Sequence, residues 1–119
     1  MSLHAIASQF VELCNQSKNF DVMHTMYAPD IVSVEPNGEE TAGKTPVIQK
    51  SERFQSQNPI GSEKVRGPFL NSPNQFAVHF TFEITPKATG QRITVEEVGV
   101  YTVKDNMITR EQFFNDGTR

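Results

Sequence analysis

The chain has no tryptophan, one cysteine and no long apolar run, and each absence narrows what it can be. The lone cysteine, Cys14, excludes an internal disulfide and, with no second thiol, a cysteine-based zinc set. The three histidines, His4, His24 and His79, form no pair with ligand spacing, so neither a metal centre nor a cofactor is expected. No stretch approaches the roughly 20 apolar residues that span a bilayer. The first residues mix His4, Ser8, Gln9 and Glu12 among apolar ones, unlike a signal peptide. A cytoplasmic location with no membrane partner is the expectation. Positive charge is also short: 11 Lys and Arg against 14 Asp and Glu leave a net charge of -3. The basic residues are scattered, so nucleic acid is not an expected partner.

What is present fits one globular domain over residues 1–119, with 36% hydrophobic residues to build a single core. Leu3, Ile6, Ala7, Phe10, Leu13 and Cys14 recur at three-and-four spacing, which predicts a first helix ending near Lys18, with Cys14 as a small core residue. A second, shorter helix carries Val22, Met23, Met26 and Tyr27 and is stopped by Pro29. Residues 31–35 read as a strand with Ile31, Ser33 and Glu35 on one face, and residues 37–43 as a polar loop. Thr45 and Pro46 then read as the cap and first position of a third helix, ended by Asn58-Pro59-Ile60-Gly61.

The remainder predicts strands. Residues 63–70 form a weak one, broken by Gly67-Pro68. Residues 75–85 alternate most clearly: Phe76, Val78, Phe80, Phe82 and Ile84 on one face, Ala77, His79, Thr81 and Glu83 on the other. His79 therefore lies away from the apolar face. Residues 92–104 form a long strand that puts Glu97, Gly99 and Tyr101 on one face. After the turn at Asp105-Asn106, residues 107–115 form the last strand, with Gln112 and Phe114 expected to point inward. Helices followed by an antiparallel run define an α+β layer fold.

This order of elements resembles the NTF2-like superfamily, the cone-shaped fold shared by nuclear transport factor 2, SnoaL-like polyketide cyclases and ketosteroid isomerases. The likeness is sharpest where Tyr27-Ala28, Asp30 and Glu35-Pro36 resemble the isomerase pattern Tyr-Ala-Asp-Asp-Ala-Thr-Val-Glu-Asp-Pro. The resemblance implies three N-terminal helices packed on a curved, mainly antiparallel sheet that encloses a pocket. It also implies that Glu35, the acid before the proline, is the general base, and that Tyr27 supports the hydrogen-bond network. The family's two oxyanion donors fall on Phe10 and Gly99, neither of which has a donor side chain, leaving Tyr27, Tyr101 and Gln112 as substitutes.

The expected pocket is therefore lined by Phe10, Tyr27, Val78, Phe80, Phe82, Glu97, Gly99, Tyr101, Gln112 and Phe114, with a small apolar molecule as its occupant. Desolvation by such walls would raise the pKa of an inward carboxylate and suit it to base catalysis near neutral pH. Three classes stay open: a proton-transfer enzyme acting on a small apolar carbonyl compound, a non-catalytic pocket, and a protein-binding module. The outward sheet face, with Ala77, Thr81, Val98, Val100 and Thr102, is apolar enough to expect a homodimer.

Overall fold

A computed structural model describes residues 1–117. The chain opens with helix α1 (Leu3–Asn15), where the Ser2 hydroxyl accepts the Ala5 N–H at 3.0 Å as an N-cap. Its buried face is Ile6, Ala7, Phe10 and Cys14. The helix stops short of Lys18, because Ser17 turns left-handed (φ 61°) and the Lys18 N–H returns to the Leu13 carbonyl at 2.9 Å. Helix α2 (Asn19–Met26) buries Val22 and Met26. It ends earlier than Pro29 alone would require. Tyr27 is already extended, and strand β1 runs Tyr27–Val34 with Pro29 inside it. A residue before proline disfavours the helical region, so the switch to extended chain precedes the proline, and Tyr27 belongs to the sheet rather than to a helix.

The polar loop contains a short strand, β2 (Glu40–Ala42), which pairs back on β1. Helix α3 (Lys44–Gln57) follows. Its cap is Gly43 at φ 99°, not Thr45: the Gly43 carbonyl accepts the Val47 N–H at 3.0 Å. Glycine tolerates that positive φ, and Pro46 falls in the first turn, where its missing N–H would have no intrahelical partner. Two helices thus precede the sheet and the third is inserted after β2, a correction to the expected run of three N-terminal helices.

The remaining strands are β3 (Ile60–Asn71), β4 (Gln75–Ile84), β5 (Ile93–Lys104) and β6 (Met107–Asn115). All six make one curved sheet in the order β2-β1-β6-β5-β4-β3, antiparallel except for the β1–β6 pair. Strand β3 is longer than its sequence promises. It accommodates Gly67-Pro68 by a register shift between Arg66 and Phe69. Asn15 ties α1 to β3 by hydrogen bonds to both the N–H and the carbonyl of Val65, each 2.9 Å. On β4, Phe76, Val78, Phe80, Phe82 and Ile84 are all buried.

Strand β6 departs from simple alternation. Thr102 pairs with Arg110 but Val103 pairs with Ile108, so Thr109 is one residue too many. A bulge of one residue reverses the side-chain faces beyond it. Ile108 faces the core, but after the bulge Glu111 and Phe113 face inward, opposite Tyr101 and Gly99. Gln112 and Phe114, expected inside, lie on the outer face. Gln112 pairs with Val100, and Phe114 is 49% exposed.

Candidate active site

Between the helices and the sheet lies a cavity of about 130 Å³. Its inner wall is aromatic: Phe10 from α1, Tyr27 from β1, Phe80 and Phe82 from β4, Tyr101 from β5 and Phe113 from β6. Its outer part is framed by Phe20 and Met23 of α2, Phe54 and Gln55 of α3, and Ile60 of β3. Phe20, Gln55 and Ile60 also border a surface groove with His24, Glu52, Ser56 and Pro59. Among the residues expected to line the pocket, Phe10, Tyr27, Phe80, Phe82, Glu97 and Tyr101 do. Val78 is fully buried in the core, and Gly99 lies beneath the rings of Tyr101 and Phe80.

Three carboxyls border this space: Glu63, Glu97 and Glu111. Glu111 is the most enclosed, with 3% of its surface exposed. Burial raises its pKa above the ordinary 4.5, and nearby Glu35 raises it too; hydrogen bonds from Tyr27 and Ser33 and the charge of Lys50 oppose this. The Tyr27 hydroxyl donates to Glu111 Oε1 through a short hydrogen bond. Burial also raises the pKa of Glu63, against a hydrogen bond from Asn19 Nδ2 at 3.3 Å. Glu97 accepts from Asn115 Nδ2 at 3.1 Å. Burial holds Tyr27, Tyr101 and Cys14 well above their usual values, so both phenols and the thiol stay protonated. Cys14 is a buried helix residue in the wall, without the depressed pKa of a nucleophilic thiol.

Glu35 sits elsewhere. Its side chain is 21% exposed and ion-pairs with Lys50 at 2.5 Å. Lys50 lines the cavity, and its ammonium also donates to Ser33 Oγ at 2.6 Å. The polar residues thus run inward from the rim as Glu35, Lys50, Ser33, Glu111 and Tyr27. Helix α3 brings Lys50 to this position because it lies one turn beyond the buried Val47. That spacing was readable in the sequence and would have found Lys50. Glu111 had no such signal, since simple alternation from Ile108 points it outward. Among the described residues, no group of three His, Cys, Asp or Glu is placed to hold a metal ion. No helix among them is long and apolar enough to cross a membrane.

A cone of helices on a curved sheet, with acid and phenol groups inside an aromatic cavity, is the architecture of the NTF2-like proteins. Residues 1–115 match the SnoaL-like domain, and the chain belongs to that family. The crystal structure of a candidate SnoaL-like polyketide cyclase from Mesorhizobium loti is 40% identical, with a TM-score of 0.91, and the match covers 96% of this chain and 99% of that one. Two more distant structures show the fold alone. One is a candidate SnoaL-like polyketide cyclase from Jannaschia sp. CCS1, with 14% identity, TM-score 0.81 and coverage of 94% of this chain and 86% of that one. The other is a protein with a ketosteroid isomerase-like fold from Catenulispora acidiphila, solved with trimethylamine, with 13% identity, TM-score 0.70 and coverage of 99% and 89%. No functionally curated protein matches the chain.

Proposed function

We propose that the protein is a proton-transfer enzyme, an isomerase or cyclase working through the enolate of a small apolar carbonyl compound, with Glu111 as its general base. The observation that carries this reading is a buried carboxyl of raised pKa, held by a phenol and facing an aromatic cavity. Ionised Glu111 removes a proton from the carbon next to the carbonyl. The C–H pair becomes a C=C bond, and the carbonyl π pair moves onto oxygen. Returning that proton at a conjugated carbon completes an isomerisation. Alternatively, the enolate carbon attacks a second carbonyl of the same substrate, and the proton ends on the new alkoxide. The cavity is close in size to the roughly 150 Å³ apolar cavity that accepts benzene. The reacting part of the substrate is therefore about one ring. The Mesorhizobium loti relative is described as a candidate SnoaL-like polyketide cyclase, a description compatible with this class of chemistry, although the same description also carries a carbohydrate phosphatase label.

In this reading Glu35, the base implied by the Glu-Pro pattern, anchors Lys50 and tunes Glu111. Two substitutions should move the pH profile in opposite directions. Activity rises with pH as Glu111 ionises, so the acid limb marks its pKa. Lys50 holds that pKa down, so Lys50→Met should shift the limb to higher pH. Glu35 pushes it up, so Glu35→Gln should shift the limb to lower pH. Isomerisation of a β,γ-unsaturated cyclohexenone, followed by absorbance across pH, reads both. Loss of activity at every pH in Glu35→Gln, with Glu111→Gln still active, would make Glu35 the base instead.

The outer sheet face bears on assembly. Phe114 and Val98 are exposed there, and the Nδ1 of His79 and the hydroxyl of Thr81 are enclosed without hydrogen-bond partners among the described residues. A second copy of this chain covering that face is the proposed arrangement. Sedimentation at micromolar concentration should give twice the 13.4 kDa chain mass; a monomer mass would refute it.

A further inference from the structure

We infer that Glu63 and Asn19 form a second polar site in the cavity, which holds a hydroxyl group of the substrate away from the carbon that loses its proton. This deepens the proton-transfer reading, and rests on it for the reaction, by naming the substrate class: a ketone that also carries a hydroxyl. Glu63 and Asn19 are both partly exposed and both border the cavity. Asn19 Nδ2 donates to Glu63 Oε2 at 3.3 Å, and neither side chain has another hydrogen bond or an ion pair among the described residues. That leaves Glu63 Oε1 as an acceptor and the second amide hydrogen of Asn19 as a donor, side by side.

The backbone aims Glu63 inward. Ile60 pairs with Ile84 but Glu63 pairs with Phe82, so β3 carries one residue more than β4 between them. Bulges of this kind re-aim the side chains that follow. Beyond it, Glu63 and Val65 lie opposite the buried Phe82 and Phe80 on the inner face, while Lys64 lies opposite Thr81 on the outer one. An apolar side chain would pack beside Phe82 without the cost that burial sets on a carboxylate, and burial raises the pKa of Glu63 accordingly. The ammonium in the cavity wall does not offset this cost, since Lys50 is held by Glu35 and Ser33. A hydroxyl gives one proton and accepts another, so it matches an acceptor beside a donor; a ketone oxygen only accepts, and an ammonium only donates. Strands β4 and β5 lie between Glu63 on β3 and Glu111 on β6. The hydroxyl is therefore held at one part of the cavity and the proton is moved at another. Both carboxyls act electrostatically on the Cys14 thiol in the wall, so they border one space.

The test is binding of three ligands of one ring each, cyclohexanol, cyclohexanone and cyclohexylammonium, followed by NMR shifts of the full chain. Wild type should bind cyclohexanol about tenfold more tightly than either of the others, the worth of one hydrogen bond to a carboxylate. Glu63→Leu should abolish the preference over cyclohexanone, and Asn19→Ala should reduce it. Glu63→Gln keeps an acceptor oxygen and should retain part of it. If the pair only braces α2 against β3, these variants would change all three affinities alike and leave the ratios as in wild type, which would overturn the inference. Tighter binding of cyclohexylammonium, no binding of cyclohexanol, or a preference that survives Glu63→Leu and is lost in Glu111→Gln would overturn it too. The preference is read without turnover, so the two readings fail separately. Wild type that shows it but exchanges no α-protons of cyclohexanone for deuterium would count against the proton-transfer reading and leave the hydroxyl site standing. Exchange without the preference would do the reverse.

Discussion

Glu111→Gln should lower proton transfer by about 10²–10⁴, the contribution of a well-placed general base, without disturbing the fold. Glutamine has the shape of the acid. Its amide oxygen can accept the Tyr27 hydroxyl, and its amide nitrogen can donate to Ser33, but it cannot take up the substrate's proton. Exchange of cyclohexanone α-protons, measured beside wild type at a pH where Glu111 is ionised, reads the loss. Exchange within a few-fold of wild type would remove Glu111 from the mechanism.

The same substitution carries an independent signature in stability. Burial raises the folded pKa of Glu111 above 4.5, so the folded chain holds this proton more tightly than the unfolded chain. The contribution of such a group is fully present below the unfolded pKa and is lost as pH rises through the folded one. Wild type should therefore lose stability relative to Glu111→Gln as pH climbs from about 4.5. The gap should level off once the folded carboxyl is ionised. Glu63 has a raised pKa as well, but it is present in both proteins and cancels in the difference. Urea midpoints of the two proteins across pH decide the matter: parallel curves would mean that Glu111 is not held against ionisation. A base that weakens the fold at the pH where it works is the trade expected of a functional carboxyl in an apolar site.

Strong periodicity made most of the architecture legible. The face of Ile6, Ala7, Phe10 and Cys14 and the ladder from Phe76 to Ile84 are buried as the spacing implies. Glu97 and Tyr101 face the cavity as the alternation of β5 implies. The chemistry was harder to see, for local reasons. One extra residue, Thr109, turns the end of β6 over, exchanging Gln112 and Phe114 for Glu111 and Phe113. A bulge has no composition that marks it. Glu35 reads as an acid on a strand, but β1 ends at Val34 and Glu35 opens the turn beyond it, where its ion pair with Lys50 depends on how α3 packs against β1. Phe10 and Gly99 stand at the family's donor positions without a donor side chain. In three dimensions the gap at Gly99 is where the Tyr101 hydroxyl lies, a relation between residues two apart on one strand that depends on a side-chain rotamer.

Comparing Phe76→Ala with Phe82→Ala should separate packed core from cavity wall. Phe76 is fully buried, stacked on Tyr101 and edge-on to Phe10 at 5.4 Å. Nothing beside it is open, so truncation should cost about 3–5 kcal/mol, with part of that from aromatic pairs worth ~0.5–1.5 kcal/mol each. For a chain of this size that is on the order of 10–20 °C in melting temperature. Phe82 lies six residues on along the same face, but it borders the cavity. The side facing the cavity lacks packing atoms, so its ring has less dispersion energy to lose, and its truncation should cost clearly less. Urea unfolding with a shared slope measures both. Equal losses would mean that the cavity is closed in solution, and with it the space that Glu111 borders. The Phe82 variant should also lose affinity for any molecule the cavity takes up, because its ring borders that space.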